Sequence, residues 1–388
     1  MSDLWQEHWI RPARLALGTA SALGLARFAY GLLVPAMRSE LHWSLAQAGA
    51  LTTANGLGYL LGAMASALVV RWLSVTATFR LGMVLTAAAL VATAASGSFP
   101  YLLLTRALAG LSGAFVFITG GVIASHAAAS ARSAAPLAIY FSGAGLGIAA
   151  SGALIPPVLA GDPGRWPLVW IGLGAGAVLA TVISWTAAQG PTEVSTAASS
   201  VDLAALARLW PVTSAYLLFA AGYIAYITFL SAYLTAHHAS VIQVALTWAL
   251  LGLAAVAAPA LWSRPISTWH GARALATALA VIGTASAVAL ASASPAAVTV
   301  SAIGYGAAFL VVPAAVTSAV QAAIPPDGWT RALATFTIVF AAGQTVGPYL
   351  AGALADSYGA GATLAWTTVL CAAGAALALL APPRGRLR

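Results

Sequence analysis

Two arginines lie inside apolar runs of this sequence, and no other residues promise as much chemistry. Arg27 sits within ALGLARFAYGLLVPAM, residues 22–37, and Arg106 within TRALAGLSGA, residues 105–114. A guanidinium at the centre of a lipid-facing helix costs roughly 2.5–3.5 kcal/mol on insertion scales. Arg27 stands about ten residues from either end of its run, so at about 1.5 Å per residue it lies some 15 Å deep, beyond snorkelling reach. Ser21, Gly24, Tyr30, Gly31 and Pro35 recur at three- and four-residue steps from it, a small and polar stripe that turns Arg27 toward protein or water. Two readings are open: a cavity-lining contact for a ligand, or a structural arginine bonded to carbonyls. Arg106 shares a face with Gly110 and Gly113, but it lies close to the start of its run, so a snorkelled arginine competes with a functional one.

Neither cation has an obvious carboxylate partner, because no Asp or Glu falls inside an apolar run; Glu40 and Asp356 sit at run ends. An unpaired buried charge is costly, and a substrate anion could complete the pairing. Carboxylate suits arginine, whose planar fork donates two parallel hydrogen bonds. An intramembrane proton relay through Asp, Glu or His is missing as well, since His126, His237, His238 and His270 all fall near run ends. Coupling to protons would then fall to the substrate's own proton or to an outer-end group such as Glu40 or Asp356.

Tyr216, Tyr223, Tyr226 and Tyr233 follow steps of seven, three and seven and are expected on one helix face, with Tyr223 and Tyr226 as an aromatic wall. Helix packing is the competing explanation, with interfacial anchoring for Tyr216 and Tyr233. Thr52, Asn55, Tyr59 and Gly62 share a face, where interhelical hydrogen bonding worth about 0.6 kcal/mol apiece competes with ligand contact. Tyr305 and Gln344 are read in the same way. The candidate substrate contacts are therefore Arg27, Tyr30, Asn55, Tyr59, Tyr223, Tyr226, Tyr305 and Gln344, with Arg106 as a coupling group. GAGLG and GLGAG follow no strand of a βαβ unit and read as close helix packing rather than nucleotide loops. His237 and His238 lack a third ligand, no Ser-His-Asp set or H-E-x-x-H pattern occurs, and neither metal, cofactor nor enzymatic activity is expected.

The elements that must hold these side chains follow from composition. Of 388 residues, 61% are hydrophobic and 6% charged, where a soluble fold carries roughly 25% charged, so the solvent is a bilayer. Apolar runs long enough to cross it as helices lie near 14–37, 44–70, 79–97, 101–125, 133–159, 167–188, 211–235, 241–262, 272–292, 295–320, 331–355 and 361–381. They are continuous rather than alternating, which selects helices over a barrel. QGPTEVSTAASSVDLAALARLW is the longest polar stretch, so the chain divides into bundles at 1–188 and 211–388 joined by a cytoplasmic linker at 189–210. The first run is too long for a signal-peptide core and is read as retained.

All 16 basic residues are arginine. With the N-terminus inside, the cytoplasmic segments hold Arg11, Arg14, Arg71, Arg80, Arg132, Arg208, Arg264, Arg273, Arg331, Arg384, Arg386 and Arg388, against Arg38 and Arg165 outside, so both termini are expected in the cytoplasm. Scattered singly, these arginines form no basic patch for nucleic acid. Cys371 is alone, which excludes a disulfide framework. A shift of 200 residues superposes GAGLGIAASGAL on GQTVGPYLAGAL, pairing Gly143, Gly147 and Gly152 with Gly343, Gly347 and Gly352, which suggests duplication.

Twelve spans in two halves, RALAGLSGA on the fourth and glycine-rich fifth and eleventh spans resemble the major facilitator superfamily of secondary transporters. More narrowly, RFAYGLLVPAM, ANGLGYLLGA, FSGAGLGIAASG, GYIAYITFL and GQTVGPYLAGALAD resemble its YbfB/YjiJ group. The resemblance implies an all-α integral membrane protein of two pseudo-symmetric six-helix bundles. Its central cavity would be lined by spans one, four, seven and ten, and access would alternate by rocking. It matches Arg106, Gly110 and Gly113 to a span-four pattern tied to proton coupling in related antiporters, and Gly143, Gly147 and Gly152 to a span-five pattern typical of exporters. The usual proline after the middle glycine is Ile148 here, but Pro348 in the duplicate. RWLSVTATFR, between spans two and three, keeps Arg71 and Arg80 but lacks the family's acid and glycine; SRPISTWHGARA keeps Arg264, Gly271 and Arg273 and also lacks the acid.

The expectation is a monomeric secondary transporter of the bacterial inner membrane, in contact with lipid and with no nucleic-acid partner, moving a small organic anion, with protons as a candidate coupling ion. Proton-coupled export of amphipathic drugs or metabolites is the alternative within transport, and a non-transporting membrane receptor or membrane-embedded enzyme the alternative outside it.

Overall fold

The computed structural model describes residues 9–189, 207–269, 271–325 and 328–381. Among these residues, twelve helices are long and apolar enough to cross a membrane: α1 Arg11–Leu41, α2 Leu45–Leu73, α3 Val75–Thr93, α4 Phe99–Ser130, α5 Ala135–Leu159, α6 Pro163–Ser184, α7 Trp210–Ala236, α8 Val241–Thr268, α9 Arg273–Ala291, α10 Pro295–Ala323, α11 Arg331–Tyr358 and α12 Gly361–Leu379. Among the described residues there is no strand. Helices are what continuous apolar sequence must form in hydrocarbon, where every backbone N–H and C=O needs an internal partner. Even the shortest, at 19 residues, spans about 28 Å. Residues 190–206 of the linker expected at 189–210, His270 and Arg384, Arg386 and Arg388 lie outside the described residues.

Several expected loops turn out to be helix. RWLSVTATFR contracts to one residue, Ser74, which takes φ +80° between α2 and α3 while its hydroxyl accepts from Ala77 N. Arg71 and Arg80 therefore ride on helices. Arg80 stacks 4.9 Å from the Trp185 ring and donates to the Trp185 carbonyl, while Arg11 and Arg14 donate to Ala187, Gln189 and Ile183 carbonyls. Two of the arginines counted for topology, Arg14 and Arg80, thus cap the C-terminal end of α6, where the helix dipole is negative, and Arg11 binds the turn beyond it. Glu40 and Asp356 fall within the last turns of α1 and α11 rather than beyond them.

The first span is not a uniform α-helix. It is α-helical over Arg11–Thr19, π-helical over Ala20–Phe28 and α-helical again over Tyr30–Leu41. The wider π turn shifts the register. The stripe expected around Arg27 is consequently dispersed: Gly24 meets Gly147 of α5, Gly31 meets the Ile227 carbonyl and Trp248, and Tyr30 turns to the Ala48 carbonyl.

Helices α1–α6 pack on one another, as do α7–α12, and the two bundles meet through α1 with α7, α2 with α11 and α5 with α8. The repeated glycines account for much of this geometry. A Cβ on Gly143 or Gly147 would strike the Ala16 or Ala20 carbonyl of α1; one on Gly343 or Gly347 would strike the Leu217 or Ala221 carbonyl of α7. The third glycine of each set faces across the bundles, Gly152 against Trp248 of α8 and Gly352 against Leu45 of α2. Residues 200 apart therefore make equivalent contacts. Gly110 is pressed on the Asn55 carbonyl, Gly113 stands a looser 3.5 Å from Ala22, and the Pro348 carbonyl abuts Gly49.

Cross-bundle hydrogen bonds extend from the α1–α2 turn past the middle of the spans. The Asp356 carboxylate accepts from Leu45 N at 2.7 Å and Ala46 N at 3.0 Å, capping α2 from the other bundle. Thr53 donates to the Thr345 carbonyl at 2.6 Å, and Ser142 to that of Val256 at 3.2 Å. Toward the far end of α2, Leu61, Met64, Leu68 and Trp72 are exposed. The Asp356 contact latches the two bundles together at the α1–α2 turn.

Candidate substrate site

Arg27 lies at the end of the π-helical turn, with 7% of its surface exposed, where the two bundles meet. Its Nη2 donates to Gln344 Oε1 of α11 at 2.5 Å and to the Tyr223 hydroxyl of α7 at 3.2 Å. The guanidinium sits 5.5 Å from the Tyr59 ring of α2 and 5.9 Å from the Phe28 ring. Its partners are thus side chains and rings rather than the carbonyls of a purely structural arginine. Two donors remain without acceptors, Arg27 Nε and Gln344 Nε2, both buried. Among the described residues the single ion pair is Arg165 with Asp162, an exposed contact, so Arg27 is not charge-paired.

Arg106 is 1% exposed and does not snorkel. Its guanidinium is caged between the Tyr30 ring at 5.3 Å and the Trp170 ring at 5.1 Å, within the first bundle. Cation–π contact of this kind contributes about 0.5–2 kcal/mol. Its Nε and Nη1 have no hydrogen-bond partner, so the rings offset only part of the burial cost.

The candidate contacts divide into two groups. Tyr59, Tyr223 and Gln344 surround Arg27. Tyr30 belongs to Arg106, and Asn55 donates to the Arg106 carbonyl at 3.1 Å, which makes it an interhelical tie. Tyr226 and Tyr305 stack on each other with centroids 3.9 Å apart, tied to Ser301 and the Tyr223 carbonyl, away from the guanidinium. The four tyrosines of α7 do not form one wall, because a three-residue step turns an α-helix through about 300° and leaves the two pairs about 60° apart. Tyr216 and Tyr223 face Phe340 of α11, whereas Tyr233 reaches the Ala289 carbonyl of α9.

Sequence reasoning passed over the phenylalanines. Phe219 and Phe340 stack with Tyr223 at 4.7 and 5.7 Å, and Phe309 of α10 bridges Tyr223 and Phe28. On the first bundle, Phe117 of α4 lies 6.3 Å from Tyr59 and 5.3 Å from Phe141 of α5. Within apolar runs a phenylalanine carries no signal that separates it from packing.

The family model described as "Uncharacterised MFS-type transporter YbfB" matches residues 19–382. No curated protein matches the chain in sequence. Among solved structures, the nucleoside transporter NupG in its D323A form superposes with TM-score 0.73 at 15% identity, over 95% of this chain and 98% of that one. A bacterial homologue of the human lysosomal transporter Spinster, inward-facing and occupied, gives 0.69 at 17% identity, over 95% and 96%. At such identities these likenesses show the fold, two six-helix bundles of the major facilitator type, and the family match adds that transport rather than catalysis is the activity. The chain is an integral membrane protein and belongs to the YbfB family of MFS-type transporters.

Proposed function

We propose that this transporter is a secondary active carrier of a small organic anion, working by alternating access with Arg27 as its primary contact. The observation that carries the reading is a buried cation without a carboxylate partner, whose free Nε lies in the same side-chain cluster as the free Nε2 of Gln344 from the opposite bundle. A carboxylate bound there would satisfy donors from both bundles and disfavour their separation until it leaves. Hydrogen bonds to charged groups contribute about 1.5–3 kcal/mol, roughly 10- to 100-fold in affinity. Arg106, caged 1% exposed in the first bundle, serves as the electrostatic or coupling partner, with protons the candidate ion. The arginine distribution supports a place in the bacterial inner membrane with both termini cytoplasmic, which makes the latched end the outer one. Nothing in the arrangement calls for a second protomer, a nucleic acid or a cofactor.

The test is thermal stabilisation of the purified protein by small carboxylates, neutral solutes and aromatic cations, wild type against Arg27→Gln. Ligands selective for the folded state raise its apparent Tm. Stabilisation by carboxylates that disappears in Arg27→Gln is expected. Equal stabilisation of both proteins by cations or neutral amphiphiles contradicts the anion reading in favour of amphiphile export, and ligand binding without flux in vesicles contradicts transport of that ligand.

A further inference from the structure

The side chains around Arg27 are aromatic on both bundles, and their exposure is uneven. Phe219, Tyr223 and Phe309 are buried, while Phe340, which stacks on Tyr223, is half-buried. Opposite, Tyr59, Phe117 and Phe141 form a second connected set and are likewise half-buried, although Tyr59 and Phe117 sit in the middle of their spans. Arg27 joins the two sets, stacked over Tyr59 on one side and bonded to the Tyr223 hydroxyl on the other. The half-open rings therefore belong to two aromatic walls meeting at one unpaired guanidinium.

We infer that the cargo is a planar aromatic carboxylate, its ring held between the Tyr59–Phe117 wall and Phe340, its carboxylate on Arg27 Nε and Gln344 Nε2. The inference rests on the anion reading above and narrows it. A saturated acid of equal size would bury the same apolar surface, but only an aromatic ring adds offset stacking or edge-to-face contact with each wall. An aromatic cation would gain the stacking and lose to the guanidinium. Charge thus selects the acid, and the walls select the flat ring.

Isothermal titration of the purified full-length protein with benzoate, cyclohexanecarboxylate and benzamide separates these terms, with Phe117→Leu and Phe340→Leu repeating the first two. The expected result is benzoate binding about tenfold tighter than cyclohexanecarboxylate. That preference should shrink severalfold in either leucine variant while carboxylate binding persists. Equal affinity for benzoate and cyclohexanecarboxylate in the wild type would overturn the aromatic class and leave the anion reading standing. Benzamide binding as tightly as benzoate would overturn the anion reading itself. The wild-type comparison needs no variant to fold.

Discussion

Among the described residues the guanidinium of Arg27 is held through one of its nitrogens, Nη2, which reaches Gln344 and Tyr223. Lysine at this position would keep the charge but lose the fork, and Arg27→Lys is expected to weaken carboxylate affinity by roughly tenfold, as titration would show. Arg106 calls for a different experiment. Replacing an unpaired buried charge by an apolar side chain of similar length is often neutral or stabilising, so Arg106→Met is expected to melt no lower than wild type while losing flux. Wild-type flux in that variant would remove Arg106 from coupling. Both arginines were legible in the sequence, because a cation in an apolar run breaks the local pattern, and rule-breaking residues concentrate at functional sites. Phe117, Phe309 and Phe340 were not, since they obey the pattern they sit in.

Among the elements, α11 and α2 carry the clearest mechanical feature. The Asp356 carboxylate closes one end of the molecule by accepting two backbone hydrogen bonds from the start of α2, reinforced by close backbone approach at Gly352 and Gly49. A carboxylate on the N-terminus of a helix gains from both charge-assisted bonds and the helix dipole. Asp356→Asn keeps the shape and removes the charge. With spin labels on Glu40→Cys and Tyr358→Cys in a Cys371→Ser background, the variant is expected to show a distance distribution broadened toward longer separations; an unchanged distribution would mean that the glycine contacts alone hold this end. The twelve spans were readable because hydropathy decides them. The π-helical segment of α1 was not, because periodicity arguments presuppose 3.6 residues per turn, and the π turn is what separates Tyr30 from Arg27. Similarly, Arg71 and Arg80 interrupt hydropathy without interrupting helix, so a ten-residue loop was expected where Ser74 alone makes the turn.

On the scale of the whole molecule, the two bundles touch from the α1–α2 turn to the contact of Gly145 and Ser142 on α5 with Gly252 and Val256 on α8, and share the Arg27 cluster in the middle. The duplicated glycines were visible as a repeat, and the structure gives the repeat its physical content: the first two of each set fix α5 on α1 and α11 on α7, while the third lets the bundles meet. Gly152→Leu is accordingly expected to hold α5 away from Trp248 and disfavour the latched state, read as faster modification of cysteines introduced near the α1–α2 turn. Rocking about the middle would expose Arg27 first to one side and then to the other, with a bound anion as the group that both bundles release. Counterflow of labelled benzoate into proteoliposomes, wild type beside Arg27→Gln, tests this account most directly. Saturable benzoate exchange that falls to the level of empty vesicles in the variant is the predicted result. Exchange that is indifferent to Arg27→Gln, or that serves cations or benzamide as well as benzoate, would contradict it.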